Sequence, residues 1–155
     1  MAEPTPYVIT QLFSDLVGRP VSVTQIPKAI PTKVKQVYGV YLVQPMKTAR
    51  VVQADLPLLG SFAGSLLGLP SDSVKERVAA PTMDEGFRDA MHEFLNISST
   101  IVSTEYRAVF QNMHNDPVYM SSEAQDVLKD PVYRNYFTIK IDGYEGGAFS
   151  ILAPI

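Results

Sequence analysis

Apolar side chains recur at helical spacing in three stretches of the chain, and each stretch predicts a helix with one buried side. The first helix is predicted at Pro6–Val17, with Thr5 as its N-cap and Gly18 at its end. The second is predicted over Leu56–Leu67, and the third begins at Thr82. Helices of this kind need a second layer of structure against which to bury their apolar sides.

Alternating apolar and polar residues predict that second layer as two β-hairpins. We expect an antiparallel sheet built from both hairpins, with the second and third helices packed on one face, which is an α+β fold. The predicted hairpin strands are Lys33–Val43 with Thr48–Ala54, and Tyr133–Ile141 with Ala148–Leu152. The other predicted elements are short strands at Val21–Thr24 and Pro117–Met120, a short polar helix or turn at Ser71–Ala79 and a short helix at Ser122–Leu128.

The third helix carries polar residues on the side opposite its apolar residues. Thr82 and Glu85 are predicted to form a capping box at its start. At ~100° per residue, Asp89, Glu93, Asn96 and Thr100 fall within roughly 60° of one another; we call these four the polar stripe. An asparagine inside a helix is unfavourable because its amide competes for backbone hydrogen bonds. The stripe is therefore a candidate surface for a partner, although a solvated face with an incidental asparagine gives the same pattern. The apolar residues of this helix are Phe87, Met91, Phe94, Leu95, Ile101 and Val102.

The longest apolar stretch, Leu56 to Leu69, is too short to cross a bilayer and is interrupted by proline, glycine and serine. Gly60 and Gly64 lie one turn apart within it and suggest a close-packing face. Tight contact with another helix of the protein core explains this pair better than a membrane dimer does.

Composition narrows the classes of function. The 155 residues suit one domain spanning 1–155, and 46% hydrophobic content indicates a folded chain. A net charge of −3 gives no electrostatic case for binding nucleic acid or an anionic membrane. Cysteine is absent, which excludes disulfides, thiolate catalysis and cysteine-ligated zinc. No secretory signal is recognisable at the N-terminus, so we expect a cytoplasmic protein.

Conventional catalytic and metal-binding patterns are missing from the sequence. The two histidines, His92 and His114, lie far apart and lack the spacing of metal ligands. No serine occupies the Gly-x-Ser-x-Gly pattern of one common class of acyl-transfer enzyme. We therefore expect no metal and no cofactor of the protein's own, and any chemistry is expected to use groups of a partner.

The order Asp89-x-x-x-Glu93-x-x-Asn96, with Pro117 further on, resembles the signature of the CheC/CheX/FliY family of chemotaxis phosphatases. The segments Tyr38–Ala54 and Asp55–Gly68 also resemble the first hairpin of that family and the helix that follows it. The resemblance covers most of residues 7–153. This chain has one helix with the Glu-x-x-Asn motif, the third predicted helix, which we call the motif helix. A single motif helix is more similar to the CheX branch than to CheC, which has two. The resemblance implies a CheC-like fold and a motif helix that continues to about Phe110, whereas β-branched residues alone predict an end near Ser103.

The resemblance implies a function as well. Members of the family hydrolyse the aspartyl phosphate of a CheY-like response regulator, whose own pocket holds Mg²⁺. Asn96 would orient the attacking water, and Glu93 would form a salt bridge with a lysine of the regulator. Asp89 and Thr100 would contact the partner at the rim of this site. CheX-like proteins also pair through sheet edges, which implies a homodimer, and the Tyr133–Ile141 strand is the expected edge.

Three residues depart from the family pattern. Leu95, immediately before Asn96, and Thr100 occupy positions where the family usually has a small residue, and His92 replaces a small neighbour of Glu93. Bulk beside the asparagine would hinder close docking of a partner. A non-catalytic dimeric adaptor that binds through Glu93 and Asn96 is therefore the alternative, and an unrelated structural domain with a chance motif is the third.

Overall fold

A six-stranded antiparallel sheet forms the frame of the computed structural model, which describes residues 4–154. The strand order is β1-β5-β6-β3-β2-β4, so the two predicted hairpins, β2–β3 and β5–β6, lie side by side in the centre. This confirms the predicted α+β fold. The predicted Val21–Thr24 strand becomes β1 on one side of the hairpins, and β4, which was not predicted, lies on the other side. The strands are β1 (Val21–Ile26), β2 (Gln36–Val43), β3 (Thr48–Asp55), β4 (Ala108–His114), β5 (Tyr133–Ile141) and β6 (Gly147–Ala153).

The helices begin and end at local signals that the sequence displays. The Thr5 hydroxyl accepts a hydrogen bond from the Val8 N–H at 3.3 Å, and Gly18 ends α1 with a φ of 65°. Gly68 ends α2 in the same way, with a φ of 71°. The helices are α1 (Pro6–Val17), α2 (Leu56–Leu67), α3 (Ser71–Ala79), α4 (Glu85–Ile97), α5 (Ser99–Val102) and α6 (Ser122–Lys129).

The two faces of the sheet are covered unequally. Helices α1 to α5 contribute to the core on one face, where phenylalanine rings of α1, α2, α4 and β6 meet. Phe62 and Phe94 stack with centroids 4.1 Å apart, and Phe13 lies 4.9 Å from each of them. On the other face α6 covers a smaller core that includes Tyr38 and Val40. The predicted placement of α2 and the third helix on one face is therefore correct.

The third predicted helix differs from the expectation at both ends. Asp84 is its N-cap and α4 begins at Glu85, so the capping box with Thr82 is wrong. The helix bends after Ile97, continues as α5 and stops at Val102, so its extension to Phe110 is also wrong. Residues 108–114 form β4 instead, because β2 offers this segment a strand to pair with. The prediction of a strand at Pro117–Met120 is wrong too, since Pro117–Tyr119 is a turn of 3₁₀ helix.

The expected dimer edge is occupied within the chain. β1 pairs with β5 from Val21↔Ile141 to Ile26↔Tyr136, and β6 pairs with its other side. The prediction that the Tyr133–Ile141 strand offers Tyr136, Phe137, Thr138 and Ile139 to a second chain is therefore wrong. The sheet edges of the described residues are β1 and β4.

Gly60 and Gly64 bring α2 into close contact with α3, as the spacing predicted. A Cβ atom on Gly64 would lie 2.1 Å from Val74 Cγ2, and one on Gly60 would lie 2.5 Å from Val78 Cγ2. Both contacts are shorter than packed carbon atoms tolerate, so only glycine fits here. Within residues 4–154, no helix is both long enough and apolar enough to traverse a lipid bilayer.

We expect Gly64→Ala to lower the free energy of unfolding by roughly 1–3 kcal/mol, because the added methyl group forces α2 and α3 apart. Gly86→Ala in α4 is the matched control. Its Cβ would meet nothing closer than Asp84 Oδ1 at 3.7 Å, so it should stabilise the protein by about 0.4–1 kcal/mol. Urea denaturation of both variants measures the free energy of unfolding. A Gly64→Ala variant as stable as the wild type would contradict the close packing of α2 on α3.

Candidate functional site

The polar stripe lies on the outer side of α4 and α5. Asp89, Glu93, Asn96 and Thr100 are all exposed, as predicted. The apolar residues between them point the opposite way: Phe87, Met91 and Phe94 have no exposed surface, and Ile101 is 2% exposed. The predicted helical phase is therefore correct, although the helix that carries it bends before Thr100.

The side chains of the stripe are unpaired in the part of the chain that the structure describes. Across residues 4–154, the structure gives no hydrogen bond or ion pair to the side chains of Asp89, Glu93, Asn96 or Thr100. Side chains three or four positions apart on a helix have Cβ atoms about 5–6 Å apart, so Glu93 and Asn96 can contact the same surface. Two unpaired polar groups on a rigid helix suit docking against another molecule.

Leu95 does not stand between the stripe and a partner. It is completely buried and packs on Gly39 of β2, where an added Cβ would lie 3.1 Å from Leu95 Cδ2. The sheet therefore accommodates the large Leu95 side chain, which departs from the family pattern. The glycine in the middle of β2 was the signal for this contact, since such glycines mark close approaches.

His92 lies at the margin of the stripe, beside the outer strand β4. It is half-buried, and its ring meets the Phe110 ring edge-on with centroids 5.9 Å apart. The His92 side chain therefore packs on its own domain, whereas Glu93 and Asn96 are exposed.

Two side chains of the sheet bind carbonyl groups at the end of the motif helix. The Tyr41 hydroxyl donates to the Leu95 carbonyl at 2.6 Å, and Arg50 Nη1 donates to the Val102 carbonyl at 2.9 Å. Between them, the Ser98 hydroxyl donates to the Phe94 carbonyl at 2.8 Å, a contact that bends helices. No local pattern pointed to Tyr41 or Arg50, because both contacts join residues more than 50 positions apart.

Pro117 is a turn residue and not part of the stripe. It starts the 3₁₀ turn after β4, where the Asp116 carboxylate accepts a hydrogen bond from the Val118 N–H at 3.0 Å. The chain crosses the sheet edge here, since Met113 lies in the larger core and Met120 in the smaller one.

The stripe offers carboxylates and an amide rather than a metal site. In the described part of the chain, no three histidine, aspartate or glutamate side chains converge closely enough to hold a metal ion. Glu85, Asp89 and Glu93 follow one another at intervals of one turn and are all exposed. Their charges give this side of α4 a negative potential, which favours a partner with basic groups.

Asp84 anchors the start of the motif helix. Its Oδ1 accepts a hydrogen bond from the Phe87 N–H at 2.9 Å, and its other oxygen pairs with Arg77 of α3. The Phe87 hydrogen bond, aided by Arg77, lowers the pKa of the Asp84 carboxyl below its usual value. This residue satisfies one of the free N–H groups at the helix start.

Several solved structures match the chain over nearly all of its length. The FliM middle domain from Vibrio alginolyticus has 11% identity and a TM-score of 0.65, over 96% of this chain and 88% of that one. The FliM middle domain from H. pylori has 14% identity and a TM-score of 0.61, over 96% and 84%. FliY from Thermotoga maritima has 17% identity and a TM-score of 0.57, over 93% and 81%.

The chain has the fold of the FliM middle domain and FliY. At these identities the likeness establishes the fold and not the activity. Assignment to the CheX branch stays a prediction. No protein-family model and no curated protein sequence matches the chain.

We expect Asp84→Ala to lower the melting temperature at pH 7, because the variant loses the cap of α4. Asp84→Asn is the matched control, since asparagine also caps helices but does not titrate. A carboxyl whose pKa is lowered by folding contributes stability above its unfolded pKa of about 3.9, and loses it as the pH falls through the lower folded pKa. If the wild type has a higher melting temperature than Asp84→Asn at pH 7, the difference should therefore vanish near pH 2. An Asp84→Ala variant as stable as the wild type at pH 7 would contradict the capping role.

Proposed function

We propose that this protein is a phosphatase that hydrolyses the aspartyl phosphate of a CheY-like response regulator in chemotaxis or a related two-component pathway. The observation that carries the proposal is the exposed, unpaired Glu93 and Asn96, one turn apart on a helix whose other side is completely buried. The fold shared with FliY supports it. Burial of Leu95 removes the obstacle that the sequence suggested beside Asn96.

Asn96 is the proposed catalytic residue. Its carboxamide can accept a hydrogen bond from a water molecule and donate one to the phosphate without changing protonation. The oxygen of the positioned water attacks phosphorus in line, and the bond between phosphorus and the aspartyl oxygen breaks. The products are inorganic phosphate and the free carboxylate of the regulator. The Mg²⁺ that neutralises the phosphate belongs to the pocket of the regulator.

Glu93 is the proposed docking residue. A carboxylate at this position can pair with a lysine of the regulator and so set the register of Asn96 against the phosphate. Asp89 and Thr100 flank the pair along the stripe and would contact the partner at its rim. The negative potential of α4 would assist the approach of a basic surface.

A non-catalytic adaptor of the same fold is the second candidate. FliM chains match this fold with TM-scores of 0.60 to 0.65, and FliM from H. pylori has been solved in complexes with FliG and with SpeE. An adaptor would use the surface around Glu93 and Asn96 for binding alone.

We expect Asn96→Ala to reduce the rate of regulator dephosphorylation by roughly 10²-fold or more, the scale for losing one preorganised catalytic donor. Stability should be unchanged or slightly higher, because Asn96 is exposed and alanine is the better helix former. Gln11→Ala, which removes another exposed helical carboxamide, is the matched control and should retain full activity. Glu93→Ala should weaken binding of the regulator as well as lower the rate.

The measurement is loss of label from a panel of phosphorylated receiver domains, combined with a binding assay. Accelerated loss that depends on Asn96 supports the phosphatase. Binding that depends on Glu93 without any loss of label would support the adaptor. Equal loss with wild type and Asn96→Ala would show that this helix is not the catalytic surface.

We also propose that the protein forms a homodimer by pairing β1, an outer strand of the sheet, with β1 of a second copy. The Asp142 N–H donates to the Pro20 carbonyl at 3.0 Å, so Pro20 and Asp142 form a hydrogen-bonded pair. Hydrogen-bonded and non-hydrogen-bonded pairs alternate along an antiparallel ladder. The N–H groups of Val23 and Gln25 therefore point away from β5. Residues 21–26 contain no charge, proline or bulge that would block a second strand. β4 is a poorer edge, because its register with β2 shifts between Val40 and Tyr41.

Light scattering should therefore give about twice the monomer mass of 17.1 kDa at micromolar concentration. Gln25→Pro should restore the monomer, since it removes an outward N–H and none of the bonds to β5. Thr24→Val, which keeps the backbone donor, should remain dimeric. A monomer mass for the wild type across this concentration range would refute the dimer.

A further inference from the structure

Tyr41 and Arg50 occupy directly opposed positions on β2 and β3, and both face the motif helix. We call this pair the carbonyl clamp, because each side chain binds one carbonyl group of the helix. The two carbonyls belong to Leu95 and Val102, on either side of the bend at Ser98. Asn96 and Thr100, two members of the polar stripe, lie within the segment that the clamp holds at both ends.

The clamp is itself held firmly. Tyr41 has no exposed surface, and its ring packs on Phe110 of β4 with centroids 5.5 Å apart. Arg50 is 7% exposed. Burial raises the pKa of the Tyr41 hydroxyl, so the group stays protonated and remains a donor at physiological pH. Because the Tyr41 ring is buried and packed on β4, its hydroxyl sets where the last turn of α4 lies.

We propose that Tyr41 is a positioning residue for Asn96. Its hydrogen bond reaches the residue immediately before Asn96, while the Leu95 side chain packs on Gly39 of the same strand. Strand β2 therefore fixes both the main chain and the side chain next to the asparagine. Without the hydroxyl, the bent segment can shift relative to the first turns of α4, which carry Asp89 and Glu93.

This inference rests on the proposed phosphatase function and predicts a specific kinetic pattern. Tyr41→Phe keeps the ring and its packing but removes the donor to Leu95. The docking residue Glu93 lies before the clamped segment, so KM should stay within about twofold of the wild type. Misplacement of a catalytic group by a fraction of an ångström to 1 Å is costly, so kcat should fall about tenfold or more.

The control is Tyr38→Phe, which removes a hydroxyl from the same strand on the opposite face of the sheet. It should leave kcat and KM unchanged. Both variants are compared with the wild type on one phosphorylated receiver domain, at a temperature at which all three are folded. If Tyr41→Phe does not fold, Arg50→Lys tests the other end of the clamp: loss of the planar fork that reaches the Val102 carbonyl should lower kcat with little change in KM, and an unchanged kcat would overturn the clamp.

Hydrogen exchange provides a readout that needs no substrate. In Tyr41→Phe, the amides of residues 98–102 should exchange at least about tenfold faster, while those of α2 should keep their wild-type rates. Unchanged exchange in residues 98–102 would overturn the positioning role.

The kinetic outcomes separate the two proposals. If Asn96→Ala is inactive and Tyr41→Phe keeps the wild-type kcat, the positioning role fails and the proposed function stands. If Asn96→Ala is fully active, the proposed function fails, and so does a catalytic role for the clamp. A fall in kcat with an equal rise in KM for Tyr41→Phe would also overturn the positioning role of Tyr41, because that pattern indicates general damage to the surface.

Discussion

The ring of Phe94 determines the direction of the polar stripe. It stacks on Phe62 and approaches Phe13 and Phe149, so it joins α4 to two other helices and to the sheet. Aromatic pairs of this kind are each worth about 0.5–1.5 kcal/mol beyond the area that they bury. Because successive helical residues differ in direction by ~100°, fixing Phe94 inward also fixes Glu93 and Asn96 outward. The exposure of the candidate site is thus a consequence of the core.

Elements that depend on local signals could be predicted from the sequence, and contacts between distant residues could not. The bounds of α1 follow from Thr5, Pro6 and Gly18, all within the helix or next to it. The residues alone predicted an end of the motif helix near Ser103, and α5 does end at Val102; only the resemblance extended the helix to Phe110. β4 itself was not predicted, because its strand character depends on β2, which lies about 70 residues earlier in the chain. The outward direction of Asn96 was predictable from helical periodicity, whereas the clamp that holds its neighbour was not.

The buried Leu95 shows why a departure from a family pattern needs the fold for its interpretation. In the sequence, a leucine beside the asparagine suggests a blocked surface. In the structure, a glycine of β2 receives that leucine, and the surface beside Asn96 stays open. In the proposed reaction, the phosphate and the metal belong to the partner, so this surface would need to supply only Asn96 and Glu93. Proteins with this fold can therefore differ in activity while sharing the sheet and the helices.

The pairing of β1 with β5 has a consequence for synthesis of the chain. Ile26 pairs with Tyr136, more than a hundred residues further along, so β1 emerges from the ribosome long before its partner. At typical translation rates the delay is roughly 5–20 s. During that time an uncharged strand is exposed on both of its hydrogen-bonding edges, a condition that favours aggregation of nascent chains. The α1–β1 segment is thus the part of this protein for which association with a chaperone would matter most.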